Sequence, residues 1–246
     1  GDNRRSLNEY SGGDVSIEDL IADESVVVTI SHAGYIKRTN LSEYKTQNRG
    51  GVGQKSAGTR DQDFLEHMFV ATNHQYMMFF TQKGKCFWMR VYEIPEGTKT
   101  AKGRAIQNLV NIESDDKVKA YICTQDLKDK DYINSHNLIM VTKQGQVKKT
   151  SLEKYSKPRV NGVAAITIKE GDELLEAKLT NGESQIILAV KSGKLVRFEE
   201  TKTRPMGRTA SGVRGNTLKD HTDEVIGMVT VDKENINDSQ ILVVTE

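Results

Sequence analysis

VVVTISHAGYIKRT (26–39) decides the fold, because its pattern returns three times, as YMMFFTQKGKCFWMR (76–90), LIMVTKQGQVKKT (138–150) and IILAVKSGKLVRF (186–198). Each copy is an apolar run of strand length, a turn ending in glycine, and a second run carrying Lys or Arg. The turn glycines are Gly34, Gly84, Gly145 and Gly193, spaced by 50, 61 and 48 residues. Strand-built repeats of that length predict blades of a propeller-like array. Glycine at the second turn position tolerates φ > 0, so two-residue hairpin turns are expected.

Working outward, a second glycine follows each turn by 17 to 19 residues, in RGGVGQ (49–54), KGRAIQNL (102–109), NGVAAITI (161–168) and SGVRGNTL (211–218). An acidic lead precedes each hairpin, as in EDLIADESVVVTI (18–30) and DELLEAKLTNGESQIILAV (172–190), and DEVIGMVTV (223–231) has the same form. Each unit is therefore expected to hold four strands: lead, apolar strand, basic strand, and a strand after the second glycine. Four strands make a blade. The predicted class is all-β, a pinwheel or propeller-like array of four-stranded blades. ILVVTE (241–246) matches the apolar strand of a fifth unit, so about four blades and the start of a fifth are expected. The polar segment 1–17 reads as a linker, and 18–246 as an array cut short at its C-terminal end. The missing initiator Met suggests an excised piece.

The net charge of +1 hides a segregation. The windows 31–60, 81–109, 142–168 and 190–218 hold 25 of the chain's 35 Lys and Arg but only 6 of its 34 Asp and Glu. Solvated surfaces usually mix their signs. Separation in phase with the repeat predicts one basic and one acidic surface.

Catalysis finds little support. His32, His67, His74, His136 and His221 are scattered without metal-ligand spacing, and read as surface or packing residues. There is no GxxxxGK[ST] loop and no GxSxG elbow. Cys86 and Cys123 form no CxxC and no disulfide framework. No apolar run approaches the roughly 20 residues that span a bilayer. No catalytic site, metal or cofactor is expected, and a cytoplasmic setting fits.

The basic strands carry the functional signal. Four residues after each turn glycine stand Arg38, Trp88, Lys149 and Arg197, and Arg90 lies two beyond Trp88. One such strand would be an ordinary solvated face; four in phase suggest a curved row of cations for phosphates, which releases condensed counterions. The candidate DNA contacts are Lys37, Arg38, Lys55, Arg60, Lys85, Arg90, Lys102, Arg104, Lys148, Lys149, Arg159, Lys194, Arg197, Arg204, Arg208 and Arg214. To these are added Gln47, Asn48, Arg49, Gly50, Gly51 and Gly53 of the turn 47–53, whose glycines permit close backbone approach. Trp88, beside Phe87, reads as a packing residue rather than a base-stacking one.

These residues resemble the C-terminal domain of the DNA gyrase A protein over nearly the whole chain. The resemblance rests on EDLI, VVVTISHAGYIKR, VYEIPEGTKTAKGRAIQNL, VKKT, KSGKLVRF and MGRTASGVRG. Residues 47–53 fall where that family carries a Gln-Arg-Arg-Gly-Gly-Lys-Gly box. Gln47, Arg49, Gly50, Gly51 and Gly53 match it; Asn48 and Val52 replace two cations. The resemblance implies a six-bladed β-pinwheel whose blades exchange strands and whose basic rim wraps double-stranded DNA, sequence-nonspecifically. It further implies an A2B2 holoenzyme, formed with the gyrase B protein in the bacterial cytoplasm, that supercoils DNA with ATP. The domain alone is expected to be monomeric, with no membrane partner. Two alternatives remain: the matching domain of the topoisomerase IV A protein, serving decatenation, and a protein-interaction propeller that binds no DNA.

The charge can be weighed against the task. Bending DNA of persistence length about 150 bp through about 180° over roughly 40 bp costs on the order of 10 kcal/mol. Half of the 25 window cations, at roughly 1 kcal/mol per phosphate met, supply a comparable amount. Wrapping is expected to be feasible, marginal and steeply salt-dependent.

Overall fold

The computed structural model describes residues 16–44, 63–215, 218, 220 and 222–241. The 47–53 box, Lys55, Arg60, His221, residues 1–15 of the segment 1–17 read above as a linker, and residues 242–246 lie outside the described residues.

The strands run β1 (Ser25–Ser31), β2 (Tyr35–Asn40), β3 (Leu65–Thr72), β4 (Tyr76–Thr81), β5 (Lys85–Arg90), β6 (Arg104–Ala105), β7 (Val118–Thr124), β8 (Asn137–Thr142), β9 (Gln146–Ser151), β10 (Val163–Ala164), β11 (Leu174–Thr180), β12 (Gln185–Val190), β13 (Leu195–Glu199), β14 (Val213–Arg214) and β15 (Val225–Val231). They form four antiparallel sheets, ordered β3-β1-β2-β6, β7-β4-β5-β10, β11-β8-β9-β14 and β15-β12-β13. Among the described residues the last has three strands and the others four.

Each sheet is centred on one repeated hairpin, but the blade is not one contiguous unit. The acidic lead of each unit pairs back onto the preceding hairpin, so β3 joins β1 and β7 joins β4. The strand after the second glycine also pairs backward: β6 joins β2, β10 joins β5 and β14 joins β9. One repeat thus builds parts of two sheets, whereas the sequence pattern suggests one sheet per unit.

The crossing glycines explain why. Gly103 and Gly212 have φ of 85° and 88°, and a Cβ there would stand 2.5 Å from the Ile36 carbonyl and 2.6 Å from that of Val147. Only glycine lets the incoming backbone lie that close to the neighbouring hairpin.

The hairpin turns differ from expectation too. Three residues, not two, separate β1 from β2, β4 from β5 and β8 from β9. The glycine N–H closes the turn onto Ser31, Thr81, Thr142 and Val190 carbonyls at 2.9–3.0 Å, and the glycine takes φ of 83–87°. This is the three-residue loop with a left-handed glycine.

The leads also fasten those turns. Asp63, Asp116, Asp172 and Asp223 accept the backbone N–H of Ala33, Lys83, Gln144 and Ser192 at 2.9–3.1 Å. Each also accepts the N–H of the residue after it.

Apolar runs on the central strands are continuous because both faces are covered. Met77 and Phe79 of β4 pack toward Val28 and Ile30; Met78 and Phe80 pack toward Leu138 and Met140. On β8, Ile139 and Val141 turn instead to Ile186 and Leu188. Three cores therefore fill the three gaps between four sheets. A short helix, α1 (Lys130–Ser135), packs Tyr132 and Ile133 onto the middle core. Trp88 packs against that same core, in keeping with its reading as a packing residue.

The lead strands lie toward one another: β11 packs beside β7 and β15, and His67 of β3 meets Tyr121 of β7 at 5.0 Å between rings. The leads are the inner edges of the sheets, and the exchanged strands β6, β10 and β14 are the outer edges. Among the described residues no helix is long and apolar enough to cross a membrane.

Candidate nucleic-acid interface

Three of the four positions that the sequence suggests as an outward row of cations are partly or wholly covered. After the second and fourth hairpins a 3-10 turn, Val91–Glu93 and Glu200–Lys202, leads into a segment that crosses the basic strand of the preceding hairpin. The Arg38 N–H donates to Pro95 O and the Met206 N–H to Lys149 O, at 2.9 and 2.7 Å. Those segments bring carbonyls with them, and the cations turn to meet them.

Four candidate contacts prove to be buried instead. Lys37 is 2% exposed, and its ammonium donates to the carbonyls of Thr98, Lys99 and Ala101 at 2.7–3.0 Å. Lys148 has no exposure and donates to Ala165, Gly207 and Arg208 carbonyls. Three acceptors suit the three ammonium hydrogens. Burial lowers both lysines, Lys148 to about 7 with help from the Arg208 charge. Lys149 donates to the Glu200 carbonyl at 3.2 Å and stands 4.0 Å from its carboxylate. Arg90 donates to Glu18 at 2.8 Å and to the His74 carbonyl, with its guanidinium 3.9 Å over the Tyr76 ring. None of the four is placed to reach a phosphate, because each is committed to internal acceptors. Arg38 is largely engaged as well, donating to Ile94 O at 3.1 Å with a side chain 19% exposed.

The other described candidates are at or near the surface. Arg104, Arg159, Lys194, Arg204 and Arg214 are exposed. Arg197 is exposed too, and donates to Gln185 at 3.1 Å. Lys102 sits 3.7 Å over the Tyr35 ring, and Lys85 pairs with Glu113 at 2.5 Å. Arg159 and Arg208 converge with Lys154 and Lys157 in a shallow groove that Val163 and Glu153 complete. Lys154 and Lys157 lie in a basic window, yet strand periodicity does not single them out, because Lys154 sits in the 3-10 turn after β9 and Lys157 in the loop between that turn and the second glycine. That place before the second glycine is the signal that would have found them. Lys99, over the Tyr44 ring at 4.6 Å, has the corresponding place before Gly103.

Basic and acidic surfaces are not cleanly divided. At the turn ends Lys83 pairs with Asp115 and Glu113, Lys143 with Glu173, and Lys191 with Glu224. The acids come from the lead strands and their approaches, which exchange brings against the basic hairpins. Exposed cations also stand at the outer edges, Arg104 on β6, Arg159 just before β10 and Arg214 on β14, and beside β10 Lys154 pairs with Glu153 at 3.1 Å. Among the described residues no group of His, Cys, Asp or Glu is gathered as metal ligands.

Four antiparallel sheets joined by exchanged strands define a class, the propeller-like strand-exchanging domains. The family model described as "DNA gyrase C-terminal domain, beta-propeller" matches residues 25–72, 75–125, 136–181 and 185–232, and the chain belongs to that family. The DNA gyrase A protein of Salmonella typhimurium is 40% identical over 229 residues, 93% of this chain and 25% of that protein. Its Staphylococcus epidermidis counterpart is 40% identical over 248 residues, covering all of this chain and 27% of the relative. The chain thus spans about a quarter of the length of these relatives. Among solved structures, the C-terminal domain of DNA topoisomerase IV aligns with TM-score 0.72 and 28% identity, over 87% of this chain and 64% of that one. A DNA gyrase A C-terminal domain aligns with TM-score 0.65 and 25% identity, over 86% and 66%.

Proposed function

We propose that this chain binds double-stranded DNA along its outer edge, without sequence preference, and bends it. In this reading it serves an ATP-dependent gyrase in the bacterial cytoplasm, with catalysis in other parts of an A2B2 assembly. The groove of Lys154, Lys157, Arg159 and Arg208 carries the reading, supported by family membership. It gathers four cations around one outer-edge strand, with Lys154 paired to Glu153 at 3.1 Å, where a phosphate backbone running from blade to blade would pass. Arg104 and Lys102 hold the equivalent place one exchange earlier, and Arg214 one later. The 47–53 box is proposed to add backbone and Arg49 contacts.

The test is binding of the 246-residue chain to plain duplexes of unrelated sequence across a salt series. Affinity should fall steeply with salt and hardly change with sequence. Absence of a gel shift at low salt would favour a protein-interaction role instead. Replacing Arg159 and Arg208 by Ala should weaken all sequences alike.

The topoisomerase IV reading has one observation of its own, the higher TM-score of that domain. The 40% identity to gyrase A proteins across the whole chain favours gyrase. Supercoiling and decatenation assays on the assembled enzyme separate the two.

A further inference from the structure

Lys37 and Lys148 occupy the same place in alternate blades, three residues after a turn glycine. In the other two described blades that place holds Phe87 and Val196. Each lysine is buried, and each reaches the segment arriving from the next blade. The bridges Arg38–Glu96 and Lys149–Pro205 put Thr98 level with Gly207 and Lys99 level with Arg208. The two ammonium groups therefore clasp equivalent carbonyls: Thr98 and Lys99 in one case, Gly207 and Arg208 in the other. Lys148 also takes the Ala165 carbonyl, just beyond β10, which Tyr155 bonds at 2.9 Å. One ammonium thus joins the exchanged ends of two successive blades.

The clasped segments carry outer-edge cations. Lys99, Lys102 and Arg104 ride on the first, and Arg208 and Arg214 on the second. Among the described residues Arg208 has little else to fix it: its guanidinium donates to Ala164 O at 3.4 Å. At the intervening blade the segment from Pro158 to Gly162 is shorter. There Phe87 packs so closely that a Cβ on Gly162 would lie 2.7 Å from its ring, and the place of the lysine is taken by that ring.

We propose that Lys37 and Lys148 are positioning residues for DNA binding: buried clasps that never touch DNA but hold the cation-bearing loops 98–104 and 207–214 in register along the outer edge. This rests on the DNA reading above. A lysine stands at this place in the two blades whose incoming loop is long enough to turn several carbonyls inward, and Phe87 stands there where the loop is shorter.

The measurement is the salt slope of duplex binding by the 246-residue chain, with Lys148→Met, Arg208→Ala and the double variant. A directly contacting lysine gives up about one phosphate, roughly 0.9 in log–log slope. The clasp should give up about two, roughly 1.8, because Arg208 and Arg214 move with the loop. Arg208→Ala should then add little on the Lys148→Met background, since neighbours acting as one unit are non-additive. A lowered melting temperature with unchanged slope and affinity would show a purely structural lysine and overturn the inference. So would a loss of one phosphate with a fully additive Arg208→Ala. If Lys148→Met does not fold, Lys37→Met with Lys102→Ala is read the same way. Absence of salt-dependent binding by the unaltered chain sinks the DNA reading itself. Binding with an additive cycle sinks only the clasp.

Discussion

Glu200 has no solvent exposure, and its carboxylate is fully engaged. Thr180 donates to it at 2.6 Å and Asn137 at 3.2 Å; the N–H groups of Gly182 and Ser184 donate at 3.1 Å each. Lys149 stands beside it. A buried charge this well satisfied is tolerated, but removing it leaves a cation and several donors unmet. Glu200→Ala should cost about 3–5 kcal/mol in urea unfolding, with Glu200→Gln costing less. Lys148 gives a pH test. Its folded pKa, pulled down by burial to about 7, lies below the usual lysine value of 10.5. Between those values the unfolded chain holds a proton that the folded chain has released, so stability rises with pH across that window and is flat below it. Unfolding of the unaltered chain, compared with Lys148→Met from about pH 6 to about pH 10, should show the gap move in its favour as pH rises. These roles are not legible in the sequence. VKKT reads as two surface cations because a strand after a turn so often carries them, and what buries them arrives from the distant segment around Gly207 and Arg208.

The hairpin elements are legible: four apolar runs, four turn glycines and four basic strands stand where the sequence puts them. What stays hidden is which sheet a strand joins. Period-2 alternation reports faces, not partners, so lead and post-glycine strands read as parts of their own unit although both pair backward. The two glycine classes separate these effects. Gly34 has φ of 85° with nothing near its absent Cβ, whereas Gly212 combines φ of 88° with a contact of 2.6 Å to Val147 O. Gly34→Ala should therefore cost about 1–2 kcal/mol, from the left-handed backbone alone. Gly212→Ala should cost distinctly more and expose the β9 edge. Hydrogen exchange at Val147 checks that directly: faster exchange is expected in Gly212→Ala and not in Gly34→Ala, while the Gln146 N–H, which donates to Thr142 Oγ1 at 3.1 Å inside the hairpin, is an internal control. Asp116 makes a similar point for the leads. Its acidity reads as surface charge, yet it is 1% exposed and holds the Lys83 turn. Asp116→Ala should cost about 1–3 kcal/mol, with two N–H groups left unpaired.

At the scale of the molecule, exchange redistributes the charge that the sequence segregates. The windows are basic, but acidic leads fold back onto their turn ends, and Lys37, Arg90, Lys148 and Lys149 among the window cations point inward. The cations available to a duplex are fewer than the count suggests, and they concentrate at the outer edge. That shifts a balance already close. The elastic cost of a half-turn over roughly 40 bp, about 10 kcal/mol, hardly depends on salt, because persistence length changes little above low ionic strength. The phosphate term falls with every increment of salt. Bending and binding should therefore part company. As salt rises, end-to-end energy transfer on a labelled duplex of about 40 bp should report a straightened DNA while gel shift still reports a complex. Further salt should then release it. Loss of both signals at the same salt would mean that contact and curvature are one event, and that the outer edge grips a path already bent rather than drawing DNA around it step by step.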